Sequence, residues 1–162
     1  MRIHALGAIF AIALSACTVA PLPMNTEFNE TDFIPYLQKG SAQIIGSAFV
    51  KTMGGDVKLG AGNEVELAPA TPYIIERLRR ATINGENLAA RDFRVSQYVR
   101  TTIADARGDF VFKDVPSGDY VLYCRIAWQV PFATYSTIET GGMAYARVTV
   151  RDGETVNVVV TR

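Results

Sequence analysis

From Ser41 onward, apolar and polar residues alternate with the two-residue period of half-buried β-strands. In AQIIGSAFV, residues 42–50, Ile44, Gly46, Ala48 and Val50 fall on one face, and Ile45, Ser47 and Phe49 on the other. In NEVELAP, Val65 and Leu67 alternate with Glu64 and Glu66. Ile103 leads into a run in which Phe110 and Phe112 share a face. Tyr120, Leu122, Cys124, Ile126 and Trp128 form the next apolar stripe, with Tyr123 and Arg125 opposite. Two further runs, ARVTV and TVNVVVT, are joined by Arg151-Asp152-Gly153-Glu154, and Asp-Gly between apolar runs predicts a hairpin. About seven short strands with turn signals between them predict an all-β, antiparallel, seven-stranded Ig-like sandwich over residues 41–162.

One segment breaks the alternation. In TPYIIERLRRAT, residues 71–82, Thr precedes Pro as a helix start, and Ile75 and Leu78 lie at helical spacing until Asn84-Gly85 ends the run. One short helix is therefore expected in an inter-strand insertion. Ahead of the strands, residues 17–40 carry three prolines, acidic residues and no sustained period, which predicts a flexible tether.

The first residues change the picture of where the chain works. MRIHALGAIFAIALSAC combines a basic start, an uncharged apolar run at residues 5–14 and small residues, the pattern of a secretory signal over residues 1–16. The run is shorter than the roughly 20 apolar residues of a membrane-spanning helix. Leu14-Ser15-Ala16-Cys17 resembles the bacterial lipobox, which implies lipidation of Cys17 and attachment to a membrane through that anchor. Thr18, in place of Asp, resembles the sorting pattern for the outer membrane of a bacterial cell envelope. On this reading the one histidine, His4, leaves with the signal. That excludes Ser-His-Asp and Cys-His catalysis and His-ligated metal sites. Cys124 remains as a lone thiol, with no partner for a disulfide, and its place on the apolar stripe predicts a core position. The chain has 16 Lys and Arg against 16 Asp and Glu, interspersed, so no nucleic-acid-binding face is expected.

At the level of motifs, Ile44 and Gly46, then Val65, Leu67 and Pro69, then Thr102, Ala104, Asp105, Gly108, Phe110 and Phe112, then Val115, Pro116, Gly118, Tyr120 and Leu122 form a pattern. It resembles the carboxypeptidase regulatory-like domain, a small transthyretin-like β-sandwich, over most of residues 41–162. The terminal VTVRDGETVNVVVT is similar to that module's last hairpin. The chain departs from the module at residues 70–100 and 129–142. The resemblance implies a fold more than a function, because the module is widely reused as an accessory piece. Transthyretin-like folds also include a hydrolase of a purine-degradation intermediate, but its histidines and terminal Tyr-Arg-Gly-Ser have no counterpart in a chain that ends VVVTR.

The aspartates at 105, 109, 114 and 119 read as turn chemistry: Asp caps backbone N–H groups and Gly108 accepts positive φ. They lack EF-hand spacing and have Arg107 and Lys113 among them, so no metal and no cofactor is expected. Glu64 and Glu66 read as a solvated strand face. What remains are the excursions, with Tyr73, Arg77, Arg79 and Arg80 in one and Phe132 and Tyr135 in the other. Aromatic residues at a sandwich end can stack on sugars or anchor a partner protein. The expected function is a membrane-anchored, non-catalytic binding or structural module with an envelope protein or a glycan as ligand. Tyr73, Arg77, Arg80, Phe132 and Tyr135 are its expected contact residues. A carbohydrate-binding accessory module and a small carboxylate-based hydrolase are the alternatives.

Overall fold

The computed structural model describes residues 20–134 and 136–162. The expected signal, Cys17 and Tyr135 lie outside the described residues. Among the described residues, eight strands form two sheets. The first is built on β1 (Ala42–Lys51), which pairs antiparallel with β2 (Val57–Leu59) and β5 (Asp109–Val115) and parallel with β8 (Thr155–Val160). The second has β4 (Arg100–Ile103), β3 (Glu64–Pro69), β6 (Gly118–Ala133) and β7 (Ser136–Val150) in that order, all antiparallel.

The facing sides of the sheets make one core. Ile44, Ala48, Phe110, Phe112, Val115 and Val160 from the first sheet meet Val65, Leu67, Tyr120, Leu122, Cys124 and Ile126 from the second. This is the alternation read from the sequence, and each large side chain so buried contributes about 1.5–3 kcal/mol. Gly46 is required by close approach. A Cβ there would lie 2.5 Å from the Phe110 ring and 2.6 Å from the Val158 carbonyl oxygen. The acidic turn before β5 also follows the expected chemistry. One Asp105 oxygen accepts the Arg107 and Asp109 N–H groups, and Gly108 adopts φ +82. Cys124 is buried, and loss of solvation pushes its thiol up to about 11.

Three expectations need correction. Asp152-Gly153 makes a tight turn, with Gly153 at φ +70, but the strands it joins are not a hairpin. The Gly153 N–H bonds the Ser41 hydroxyl and the Gln43 N–H bonds the Glu154 carbonyl, so the chain crosses to the other sheet and β8 pairs with β1. Residues 129–133 and 136–142 are a continuation of β6 and β7: the two strands stay paired from Gly118↔Val150 out to Ala133↔Ser136. Because β3 pairs with β6 only as far as Cys124, the rest of this hairpin extends past the sheet.

The third correction concerns the tether. Met24, Phe28 and Phe33 of this segment pack on the outer face of the second sheet together with the 70–99 insertion, making a second core, while Tyr36 packs against the main core at Tyr120. Helix α1 (Pro72–Arg77) is capped by the Thr71 hydroxyl, which accepts the Ile74 N–H, and it runs on into a wider π-type turn at Leu78–Ile83. Phe33, Tyr73, Ile74, Leu78, Val95 and Tyr98 cover Ala68 and Val121. Phe28 stacks on Phe33 with centroids 4.9 Å apart, and Phe33 meets Tyr98 at the same distance.

A carboxylate holds the segment in place. Glu76 on α1 accepts the backbone N–H groups of Asn25 (2.9 Å) and Thr26 (2.6 Å) and pairs with Arg80 at 2.9 Å. Hydrogen bonding from Thr26, then from the Asn25 N–H and the Arg80 guanidinium, holds the Glu76 carboxyl at about 2 against the opposing effect of burial. Arg80 also bonds Glu86 and the Pro23 carbonyl. The flanking Leu22 exchanges backbone bonds with Asn87 and Ala89.

Candidate functional site

Where the second core ends, the outer face of the second sheet is left open and a cavity of about 570 Å³ forms. Its floor is set by strand alternation. Glu64 and Glu66 on β3, Tyr123, Arg125 and Ala127 on β6, and Glu139 and Met143 on β7 all point away from the main core into it. Glu66 and Tyr123 are directly paired across β3 and β6, as are Arg125 and Met143 across β6 and β7. The wall is α1 and its continuation, through Ile74, Arg77, Ala81 and Thr82, with Arg91 from the stretch that follows. A cavity of this size lies within the range of small-ligand sites.

Ionised groups are arranged around the one aromatic ring. Arg91 bonds Glu66 at 2.8 Å, and Arg125 bonds Glu139 at 2.9 Å. Arg77 directs one N–H to the Ala89 carbonyl at 2.9 Å. Tyr123 packs one side against the second core and contributes the rest of its ring to the cavity. Burial, followed by the Glu66 carboxylate, pushes its phenol above the ordinary tyrosine range, while Arg91 and Arg77 act in the opposite sense. The Tyr123 hydroxyl therefore stays protonated at any physiological pH. No buried side-chain N or O among the described residues lacks a partner. Together these supply what polyol recognition needs: an aromatic surface, fixed donors and fixed acceptors within one small concavity.

The residues expected from the sequence do not all gather here. Arg77 lines the cavity. Tyr73 is only 4% exposed and belongs to the second core, where its hydroxyl accepts the Asp92 N–H. Arg80 is committed to Glu76 and Glu86, and Arg79 is exposed outside the cavity. Phe132 is 71% exposed near the end of the β6–β7 hairpin, away from the site. Sequence reasoning passed over Tyr123, Arg125, Glu66 and Arg91. The signal for three of them was present in the alternation, which placed an aromatic and an arginine opposite the core stripe of β6 and a glutamate outward on β3.

A second depression, of about 730 Å³, lies on the outer face of the first sheet. It is lined by Ile45, Val111 and Val159, and its carboxylates are engaged: Asp105 caps the turn and Asp109 accepts the Ser47 hydroxyl.

No protein-family model matches the chain, and no curated protein matches it. Among solved structures, a candidate carbohydrate-binding protein of Pseudomonas aeruginosa aligns with a TM-score of 0.74 and 26% identity, covering 85% of this chain and 99% of that one. The major pilin subunit of Bacillus cereus aligns at 0.40 with 13% identity, covering 75% of this chain and 30% of the pilin. The minor pilin of Streptococcus agalactiae aligns at 0.39 with 21% identity, covering 75% and 44%. Scores near 0.4 add nothing to the account of this chain. The Pseudomonas protein shares its β-sandwich over nearly its full length.

Proposed function

We propose that the protein is a non-catalytic carbohydrate-binding module of the bacterial envelope, with its site in the Tyr123 cavity. The observation that carries this reading is one aromatic ring set among Glu66, Arg91, Arg125 and Glu139 on an outward sheet face, next to Arg77. Aromatic area gives affinity for the apolar face of a sugar ring, and paired charges give fixed donors and acceptors for its hydroxyls. The likeness to the Pseudomonas candidate carbohydrate-binding protein supports it. The carboxylates of Glu66 and Glu139 are held in ion pairs, which suits hydrogen-bond acceptance better than proton transfer. The sandwich is read as a carboxypeptidase regulatory-like, transthyretin-like module on the residues that resemble it.

The test is titration calorimetry against a panel of oligosaccharides. Tyr123→Ala is expected to weaken binding of whichever glycan binds by about tenfold or more. Phe132→Ala, an exposed residue outside the cavity, leaves it unchanged. Binding that tolerates loss of the Tyr123 ring would place the site elsewhere.

The anchor belongs to the same proposal and rests on Leu14-Ser15-Ala16-Cys17. With Leu22 already bonded to the folded part, the link from Cys17 is only a few residues, so the module would sit against the membrane instead of standing off it. Cys17→Ala is expected to move the protein from the membrane fraction to the soluble fraction or to leave the precursor unprocessed. Processing and membrane fractionation like the parent would remove the anchor from the proposal.

A further inference from the structure

The charges in the cavity do not cancel locally. Arg91 has Glu66 and Arg125 has Glu139, each within 3 Å, but Arg77 has no carboxylate at salt-bridge distance among the described residues. Its bond to the Ala89 carbonyl fixes the guanidinium while using one of its five N–H donors. Arg77 ends α1 and is half-buried, so its position is set by the helix and not by a free side chain. The remaining cavity charge, Glu64, is exposed at the first residue of β3, at the rim of the floor. A ligand anion is therefore drawn toward Arg77, the cavity guanidinium that has no carboxylate partner among the described residues.

We infer that this site selects an anionic saccharide, a sugar unit bearing a carboxylate or a sulfate, with Arg77 as the residue that receives the anionic group while Tyr123 contacts the ring. The inference rests on the carbohydrate reading above and names its ligand class. A preorganised guanidinium binds a carboxylate or sulfate through parallel charge-assisted hydrogen bonds. A neutral sugar leaves those donors unmatched, and a site built for a charged group discriminates against the analogue that lacks it.

Three oligosaccharides of equal length test this by calorimetry: an oligogalacturonate, the neutral galactose oligomer and a sulfated galactose oligomer. At least one anionic oligomer is expected to bind about tenfold or more tightly than the neutral one. Arg77→Gln should erase that preference, bringing the affinity for the anionic oligomer down to about that for the neutral one. Arg77→Lys, which keeps the charge, should retain part of it, and Arg79→Gln, exposed outside the cavity, all of it. Tighter binding of the uronate identifies carboxylate as the group received, and tighter binding of the sulfated oligomer identifies sulfate. Equal affinity for neutral and anionic oligomers, or a preference that survives Arg77→Gln, overturns this inference and leaves the carbohydrate reading standing. Absence of binding by all three overturns both.

Discussion

Phe33→Ala is expected to destabilise the protein by about 3–5 kcal/mol, the cost of lost transfer free energy plus the cavity left behind. Phe33 lies in a segment whose prolines and acidic residues suggest a tether, yet it is 0% exposed. Its ring packs against both Phe28 and Tyr98, and Phe28 also carries the Arg94 guanidinium 4.4 Å from its centroid. The neighbours come from two distant parts of the chain, and the segment that carries Phe28 is also held by the Glu76 bonds to Asn25 and Thr26, which limits how far the site can close up around an alanine. Leu37→Ala, four residues on and exposed, should change stability by less than about 0.5 kcal/mol. Chemical denaturation of the two variants measures both. A Phe33→Ala protein as stable as the parent would return residues 24–37 to the status of a tether.

The second large effect is expected in the main core. Phe112→Ala should cost about 3–5 kcal/mol, and Lys113→Ala less than about 0.5 kcal/mol. Phe112 is buried opposite Ile44 in the β1–β5 register and meets Phe110 edge-on at 5.8 Å. Lys113, the next residue, points to solvent; Arg100 bonds its backbone carbonyl and not its side chain. Because strand side chains alternate, a one-residue error in register would exchange the two outcomes. Equal losses in the two variants would show that neither face of β5 is the inner one.

The main sandwich was legible because its strands are half-buried, and half-burial leaves a period of two in the sequence. The same rule, carried further, contains a hint of the second core. Tyr120-Val121-Leu122-Tyr123-Cys124 is apolar on both faces, and a strand of that kind needs cover on both sides. What the cover would be was not legible. Phe28 and Phe33 are spaced without period in a proline-containing segment, and their packing makes sense only once Ala68 and Val121 are known to face the same way. The Thr71-Pro72 helix start was legible since it is a local signal.

Asp152-Gly153 misled for a related reason. The dipeptide specifies a tight turn, and the turn is there, but which edge the following strand joins depends on β1, more than 100 residues earlier. In the cavity, the outward direction of Glu66, Tyr123 and Arg125 followed from alternation, while the register that makes Glu66 and Tyr123 neighbours is a long-range fact. Arg91, which arrives from an irregular stretch, left no periodic trace at all.

The parallel pairing of β1 with β8 has a consequence for the order in which the fold is made. β1 is the centre of the first sheet, and one of its edges is filled by residues 155–160. The β6–β7 hairpin is local and can form as soon as residues 118–150 are available, whereas the β1–β8 pair closes a loop of more than 100 residues. Closures of that span are slow, and they dominate the folding time of small β-proteins. The edge of β1 that β8 fills therefore stays open until residues 155–160 reach it, while its other edge can pair with β5 earlier.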